Sequence, residues 1–231
     1  MFEISPTEWT AILLSLRVAV IATLVATPFG IALAWLLARY DFWGKSILDA
    51  AVHLPLVLPP VVTGYLLLLT FGRRGLVGAW LADHLGIVFA FRWTGAALAC
   101  GIMSFPLLVR PIRLSIEAID RRLEQASSTL GAAPWQVFAT VTLPLALPGI
   151  LAGMVLGFAK AIGEFGATIT FVSNIPGETQ TISSAIYSLI QTPDGDRAAG
   201  RLVLISIVMA MGALIASEWF ARRATQRLHG N

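Results

Sequence analysis

Charge is scarce in this chain. Only 13% of its 231 residues are Asp, Glu, Lys or Arg, too few to coat a soluble globule of this size. Cysteine is nearly absent: Cys100 is the single one and lies inside an apolar run, which excludes an internal disulfide and any cysteine-based metal site. Three histidines, His53, His84 and His229, stand without a second ligand at metal spacing, so the expectation is no metal site. The opening MFEISPTEW has no basic stretch and carries Glu3 and Glu8, unlike a cleaved secretory signal. The fragment Gly44-Lys45-Ser46 resembles the end of a phosphate-binding loop, but Arg39 occupies the earlier glycine position and no strand precedes it. The motifs GxSxG and HExxH are missing too, so neither a nucleotide nor a hydrolytic site is expected in this chain.

What is abundant is apolar sequence. Hydrophobic residues make up 57% of the chain and the mean hydropathy is +0.79, the signature of an integral membrane protein surrounded by lipid. The net charge of +3 does not indicate nucleic acid, because the basic residues sit at the ends of apolar runs and form no stripe. An all-α fold is expected, since only helices bond every backbone group within the segment that crosses some 30 Å of hydrocarbon. Five spans are read at about 18–38, 47–71, 93–109, 142–172 and 200–220, six if one more is present. The second contains Pro55, Pro59 and Pro60, which remove backbone donors and imply a kink or break. Residues 74–91 are apolar as well, but Arg74, Asp83 and His84 argue for an interfacial or re-entrant segment.

Lys and Arg in short loops orient such a bundle. Arg39, Lys45, Arg110, Arg113, Arg121, Arg122, Arg222, Arg223 and Arg227 fall on one side, against Arg73, Arg74, Arg92, Arg197 and Arg201 on the other. With five spans this puts the N-terminus outside, the C-terminus inside, and the polar segment 110–141 in the cytoplasm. Within that segment Ile119, Leu123, Ala126 and Leu130 recur at helical spacing, with charged and hydroxyl side chains on the other face. Gly131 stands where a left-handed C-cap belongs, and Pro134 suits the first turn of a second short helix that carries Trp135, Phe138 and Val141. Such a helix pair fits a groove on a partner protein; spacing alone leaves a plain connector equally open.

Glu124, Ala126, Gly131, Val141, Leu143 and Pro144 reproduce a further pattern: Glu-x-Ala, a Gly seven residues after the Glu, then an aliphatic residue, a spacer and Leu-Pro. It resembles the EAA loop of permease subunits of ATP-binding-cassette importers, although Ser127 follows Glu-Gln-Ala here. The stretches HLPLVLPPVVTGYLLL (53–68), SFPLLVRPIRL (104–114) and FAKAIGEFGATITFVSNIPGETQT (158–181) are similar to the molybdate branch of those permeases. Sulfate and thiosulfate permeases are the neighbouring alternative. The resemblance covers nearly the full length and implies one transmembrane permease domain, 1–231, in the bacterial inner membrane. It also implies a homodimer, two cytoplasmic ATPase subunits that hold ATP and Mg, an external molybdate-binding protein, and no cofactor in this chain. In it Glu124, Ala126, Gly131, Trp135, Phe138, Leu143 and Pro144 belong to the loop that couples ATP hydrolysis to the membrane helices.

Candidate pathway residues follow from cost. Lys160 and Glu164 stand four apart on the fourth span, where an isolated charge costs roughly 2.5–3.5 kcal/mol at mid-span and so faces a partner, a cavity or the bundle interior. They read equally well as a structural ion pair or as charges lending potential to an anion pathway. Thr168, Thr170 and Ser173 offer hydroxyls to a tetrahedral oxyanion, against the ordinary alternative of bonding back to their own helix. An ion-coupled secondary transporter, with Lys160 and Glu164 as its coupling charges, is the reading from a different class, and it leaves 119–144 unexplained.

Overall fold

The computed structural model describes residues 4–228. No strand occurs among them, and four helices are long and apolar enough to cross a membrane, five with one bent pair.

Helix α1 (Pro6–Arg39) is the first of these and starts well before the span read from the sequence. Ser5 explains the early start: its hydroxyl accepts from the Glu8 N–H at 3.2 Å, the Glu8 carboxylate accepts from the Ser5 N–H at 2.6 Å, and Pro6 is pre-set for the first turn. Glu8 is buried because its other oxygen meets Arg201 at 2.8 Å. The apolar run marks only part of this helix, and the capping box sets where it starts.

The second span is not one helix. α2 (Lys45–Val57) and α3 (Pro60–Phe71) meet at 114°, with Leu58 extended and Pro59-Pro60 unable to continue the hydrogen-bond ladder. α4 (Leu76–Leu85) is ten residues long and ends on left-handed Gly86, too short to cross, in keeping with an interfacial or re-entrant segment. α5 (Trp93–Glu117) outruns the expected 93–109, so residues 110–117 belong to a membrane helix and not to the polar loop.

The polar segment forms α6 (Arg121–Thr129) and α7 (Pro134–Val137). α7 is no separate helix: a π turn at Phe138–Thr142 joins it to α8 (Leu143–Ile162), so one apolar helix runs from Pro134 to Ile162. The expected span 142–172 is then broken after Ile162, and α9 (Gly166–Val172) follows as a separate short helix. α10 (Ile182–Leu189) and α11 (Asp196–Leu228) complete the chain.

Close helix approach builds the core. A Cβ on Gly153 would lie 2.5 Å from the Leu108 carbonyl oxygen, and one on Gly149 would lie 2.7 Å from that of Pro111, so α8 reaches the backbone of α5 because glycine is there. Leu108, Val109, Ile112 and Ile116 fill the seam between α1, α5 and α8, and Met103, Ala167, Phe171 and Val172 pack where α9 enters.

Candidate functional site

The polar segment is anchored at Glu124. Its Oε1 accepts from Arg39 Nε at 3.2 Å and from the Thr142 hydroxyl at 2.6 Å, while the Arg39 guanidinium also reaches the Ile119 carbonyl at 3.4 Å. One carboxylate thus ties α6 to the end of α1 and to the root of α8. The Arg39 side chain is 9% exposed and that of Glu124 17%, so the pair is largely desolvated and removal of either partner strands the other's charge. Thr142 is itself buried.

Gly131 does what its position requires. At φ 90° it follows α6, with its N–H bonded to the Ser128 carbonyl at 3.0 Å and the Ala132 N–H to that of Ser127 at 3.2 Å, a Schellman turn. Pro134 opens α7, and the Gln136 side chain accepts from the Ala133 N–H at 2.8 Å. Phe138 packs edge-on to Trp35 of α1 with ring centroids 5.4 Å apart, whereas Trp135 is 70% exposed. Leu143 and Pro144 begin α8 and carry the turn into the membrane helix.

The apolar face read over residues 119–130 separates into two parts. Ile119 is buried, but Leu123, Ala126 and Leu130 are exposed, and α6 buries none of its own residues against this chain. A helix that merely linked two spans would turn its apolar side inward. Here a groove of about 500 Å³ opens beside α6, bounded by Trp35, Tyr40, Gln125, Thr129, Pro134 and Phe138.

Lys160 and Glu164 are brought together as an ion pair, but not on one helix face. Glu164 lies past the end of α8, in the break before α9, and is buried; its second oxygen accepts from the Ala167 N–H at 3.0 Å. It therefore bridges the break, holding α8 through Lys160 and satisfying an orphan donor in the first turn of α9. Lys160 keeps 28% of its side chain exposed.

The hydroxyls divide. Thr168 donates to the Phe165 carbonyl at 2.9 Å and Thr170 to that of Gly166 at 2.9 Å, so both bond back to their own helix. Ser173 is exposed at φ 65°, ψ −160°, a conformation rare outside glycine, and its carbonyl accepts from the Thr179 hydroxyl at 3.3 Å. α9 sits tightly on α3, where a Cβ on Gly64 would fall 2.5 Å from the Ala167 carbonyl oxygen.

Three residues escaped the sequence reading. Arg39 and Thr142 complete the Glu124 node; Arg39 counted only as an orientation charge, and no spacing rule links residues 85 positions apart. Thr63, buried on α3, has a hydroxyl with no hydrogen-bond partner among the described residues. Its only signal was a hydroxyl within the apolar PVVTGYLLLL.

Comparison with known proteins joins these sites to a family. The chain is 62% identical over 220 residues to the molybdenum transport system permease protein ModB of Escherichia coli K12, covering 95% of this chain and 96% of that one. It is 56% identical to the protein of the same name from Haemophilus influenzae, with 96% of both covered, and 36% identical to a probable sulfate transport system permease protein of Chlorella vulgaris, covering 87% and 76%. The fold matches that of a bacterial ABC transporter involved in alginate import with a TM-score of 0.74 at 21% identity, over 96% of this chain and 81% of that one. It also matches the MetNI methionine ABC transporter at 0.70 and 14% identity, with 94% of both covered. Residues 26–229 match the family of binding-protein-dependent transport system inner membrane components, and with most of the chain inside that match and the Escherichia coli relative aligned over 95% of it, this protein belongs to that family.

Proposed function

We propose that this chain is the membrane-spanning permease of an ATP-driven importer of molybdate, with tungstate as a second substrate of nearly the same size and charge. The observation that carries the coupling half is α6: its apolar residues face outward, and Glu124 clamps it to α1 and α8, so force applied to α6 reaches two membrane helices directly. The substrate half rests on the 62% identity to a molybdenum permease, well above the 36% to a sulfate one.

In this reading the chain forms one transmembrane domain, 1–231, and works as a homodimer with the N-terminus outside and the C-terminus inside. Two ATPase subunits bind ATP and Mg on the cytoplasmic side, and an external binding protein delivers the oxyanion. Glu124, Ala126, Gly131, Trp135, Phe138, Leu143 and Pro144 form the coupling element; exposed Leu123, Leu130 and Trp135 are the surface an ATPase groove would cover. ATP closure of the ATPases draws the two copies of α6 together, and the spans rotate to alternate access.

The pathway assignment shifts with the geometry. Thr168 and Thr170 shape α9 through their own backbone, and Ser173 lies at its exit, while partly exposed Lys160 supplies the positive potential and Glu164 holds the α8–α9 break. Weak contacts of this kind let an oxyanion enter and leave.

The test is uptake of radiolabelled molybdate into proteoliposomes that hold the chain with its ATPase and binding protein, with and without ATP and with sulfate in excess. ATP-dependent uptake that resists sulfate is the expected result. Full competition by sulfate moves the substrate to that oxyanion, and uptake indifferent to ATP overturns the reading.

A further inference from the structure

The bend between α2 and α3 has a lateral consequence. α2 ends at Val57, and α1 and α5, which pack on each other through Ala19, Ala22, Ala96 and Cys100, leave Val25 and Phe29 exposed along the outer edge of their seam. A groove of about 670 Å³ results, walled by Ile21, Val25 and Phe29 of α1 and by Ala97, Gly101 and Phe105 of α5. At one end stands Trp93, the first residue of α5; toward the other, where Asp49 of α2 meets Arg113 of α5 at 2.9 Å, Val52 and Pro55 of α2 line it. From Trp93 to Phe105 is about 18 Å at helical rise, close to the depth of one leaflet of a hydrocarbon core about 30 Å thick.

The two ends differ in chemistry. The Arg17 guanidinium lies over the Trp93 ring, 3.7 Å from its centroid, and Arg17 is exposed and forms no ion pair among the described residues. Arg92, also exposed, directly precedes Trp93. A Trp and two cations at the start of a membrane helix mark the headgroup level. The α2 end is lined by the apolar Ala51, Val52 and Pro55. The groove's length along α5, about 18 Å, matches an acyl chain that ends at mid-bilayer, whereas a full transmembrane helix exceeds it.

The geometry points to a specific site for an anionic phospholipid, one acyl chain lying along α1 and α5 against Gly101 and the phosphate at Arg17 and Arg92. The apolar walls supply contact along the chain, and the guanidiniums select the headgroup's charge. Gly101 makes room for it: a Cβ there would meet nothing closer than the Ala22 carbonyl oxygen at 3.7 Å, so a larger side chain would grow into the groove.

The test is native mass spectrometry of the full chain released from detergent micelles, with dioleoyl phosphatidylglycerol or dioleoyl phosphatidylcholine as the probe. The expected result is one phosphatidylglycerol retained per chain in preference to phosphatidylcholine. Arg17→Gln should lower retention of the anionic lipid about fivefold, the effect of one cation near a headgroup, and leave the zwitterionic lipid unchanged. Gly101→Leu should remove both. Equal retention of the two lipids, unaltered by either variant, overturns the proposal in favour of ordinary annular lipid. Dissociation of a dimer by Gly101→Leu with lipid retention unchanged overturns it in favour of a contact between copies. Arg17→Gln leaves the helix packing intact and decides the question should Gly101→Leu fail to insert.

Discussion

At the scale of single residues, Glu124 and Gly131 hold the polar segment by different physics. Glu124 acts through charge: removing it leaves the Arg39 guanidinium, 9% exposed, without its carboxylate, and costs about 1–3 kcal/mol. Glu124→Ala and Arg39→Ala should each reduce co-purification of the ATPase, and the double variant should be no worse than either single one. A double-mutant cycle on complex yield and thermal stability reads this, and additive losses would count against the shared node. Gly131 acts through backbone alone, since a Cβ there would meet nothing within 4 Å. Gly131→Val should cost about 1–2 kcal/mol and reduce molybdate uptake, whereas Gly131→Asn, whose side chain tolerates the left-handed region, should restore most of it. Equal uptake by the Val and Asn variants would show that the turn's conformation is not what matters.

At the scale of elements, the α3–α9 contact and the α8–α9 break do opposite things. Gly64→Ala puts a methyl group 2.5 Å from the Ala167 carbonyl oxygen and 2.9 Å from its Cα, atoms that cannot move without shifting α9. An overpacking cost of about 1–3 kcal/mol is expected, seen as a lower midpoint of thermal unfolding together with impaired uptake. Gly163, at the break, is the control: a Cβ there stays 3.9 Å from its nearest neighbours, so Gly163→Ala should leave both readouts near wild type. The ion pair across the break gives a further prediction. Lys160→Met strands the buried Glu164 and should destabilise by about 3–5 kcal/mol, and Lys160→Met with Glu164→Gln should recover part of that stability while uptake stays low. Recovery of uptake in the double variant would make the pair structural only.

At the scale of the molecule, the bundle is tied at its ends. Glu8 on α1 meets Arg201 on α11 at 2.8 Å, and Arg39 at the other end of α1 meets Glu124, so the longest helix is held near both termini by ion pairs to distant segments. The orientation inferred from basic loops puts the Arg39 end inside. A reporter active only in the cytoplasm should work when fused after the last residue and stay silent when fused before Met1. The reverse pattern would invert the proposed topology and with it the side on which the ATPase docks.

Reading the residues alone was enough to identify a helical membrane chain with about five candidate spans and, within 119–144, an exposed amphipathic element with a glycine turn. These follow from apolar content, helical periodicity and backbone chemistry, all of which are local. The resemblance at Glu124, Gly131 and Leu143-Pro144 added the family. Folding added what periodicity does not carry: the capping box at the start of α1, the 114° turn at Pro59-Pro60, the π turn that runs α7 into α8, and the sharing of Glu124 by Arg39 and Thr142. Glu164 is the clearest case. Spacing put it on a helix face with Lys160, but the helix had already ended, and its place is set by the Ala167 N–H it caps and by the packing of α9 on Gly64. A pairwise spacing rule assumes an unbroken helix, and where a helix breaks is decided by what lies against it.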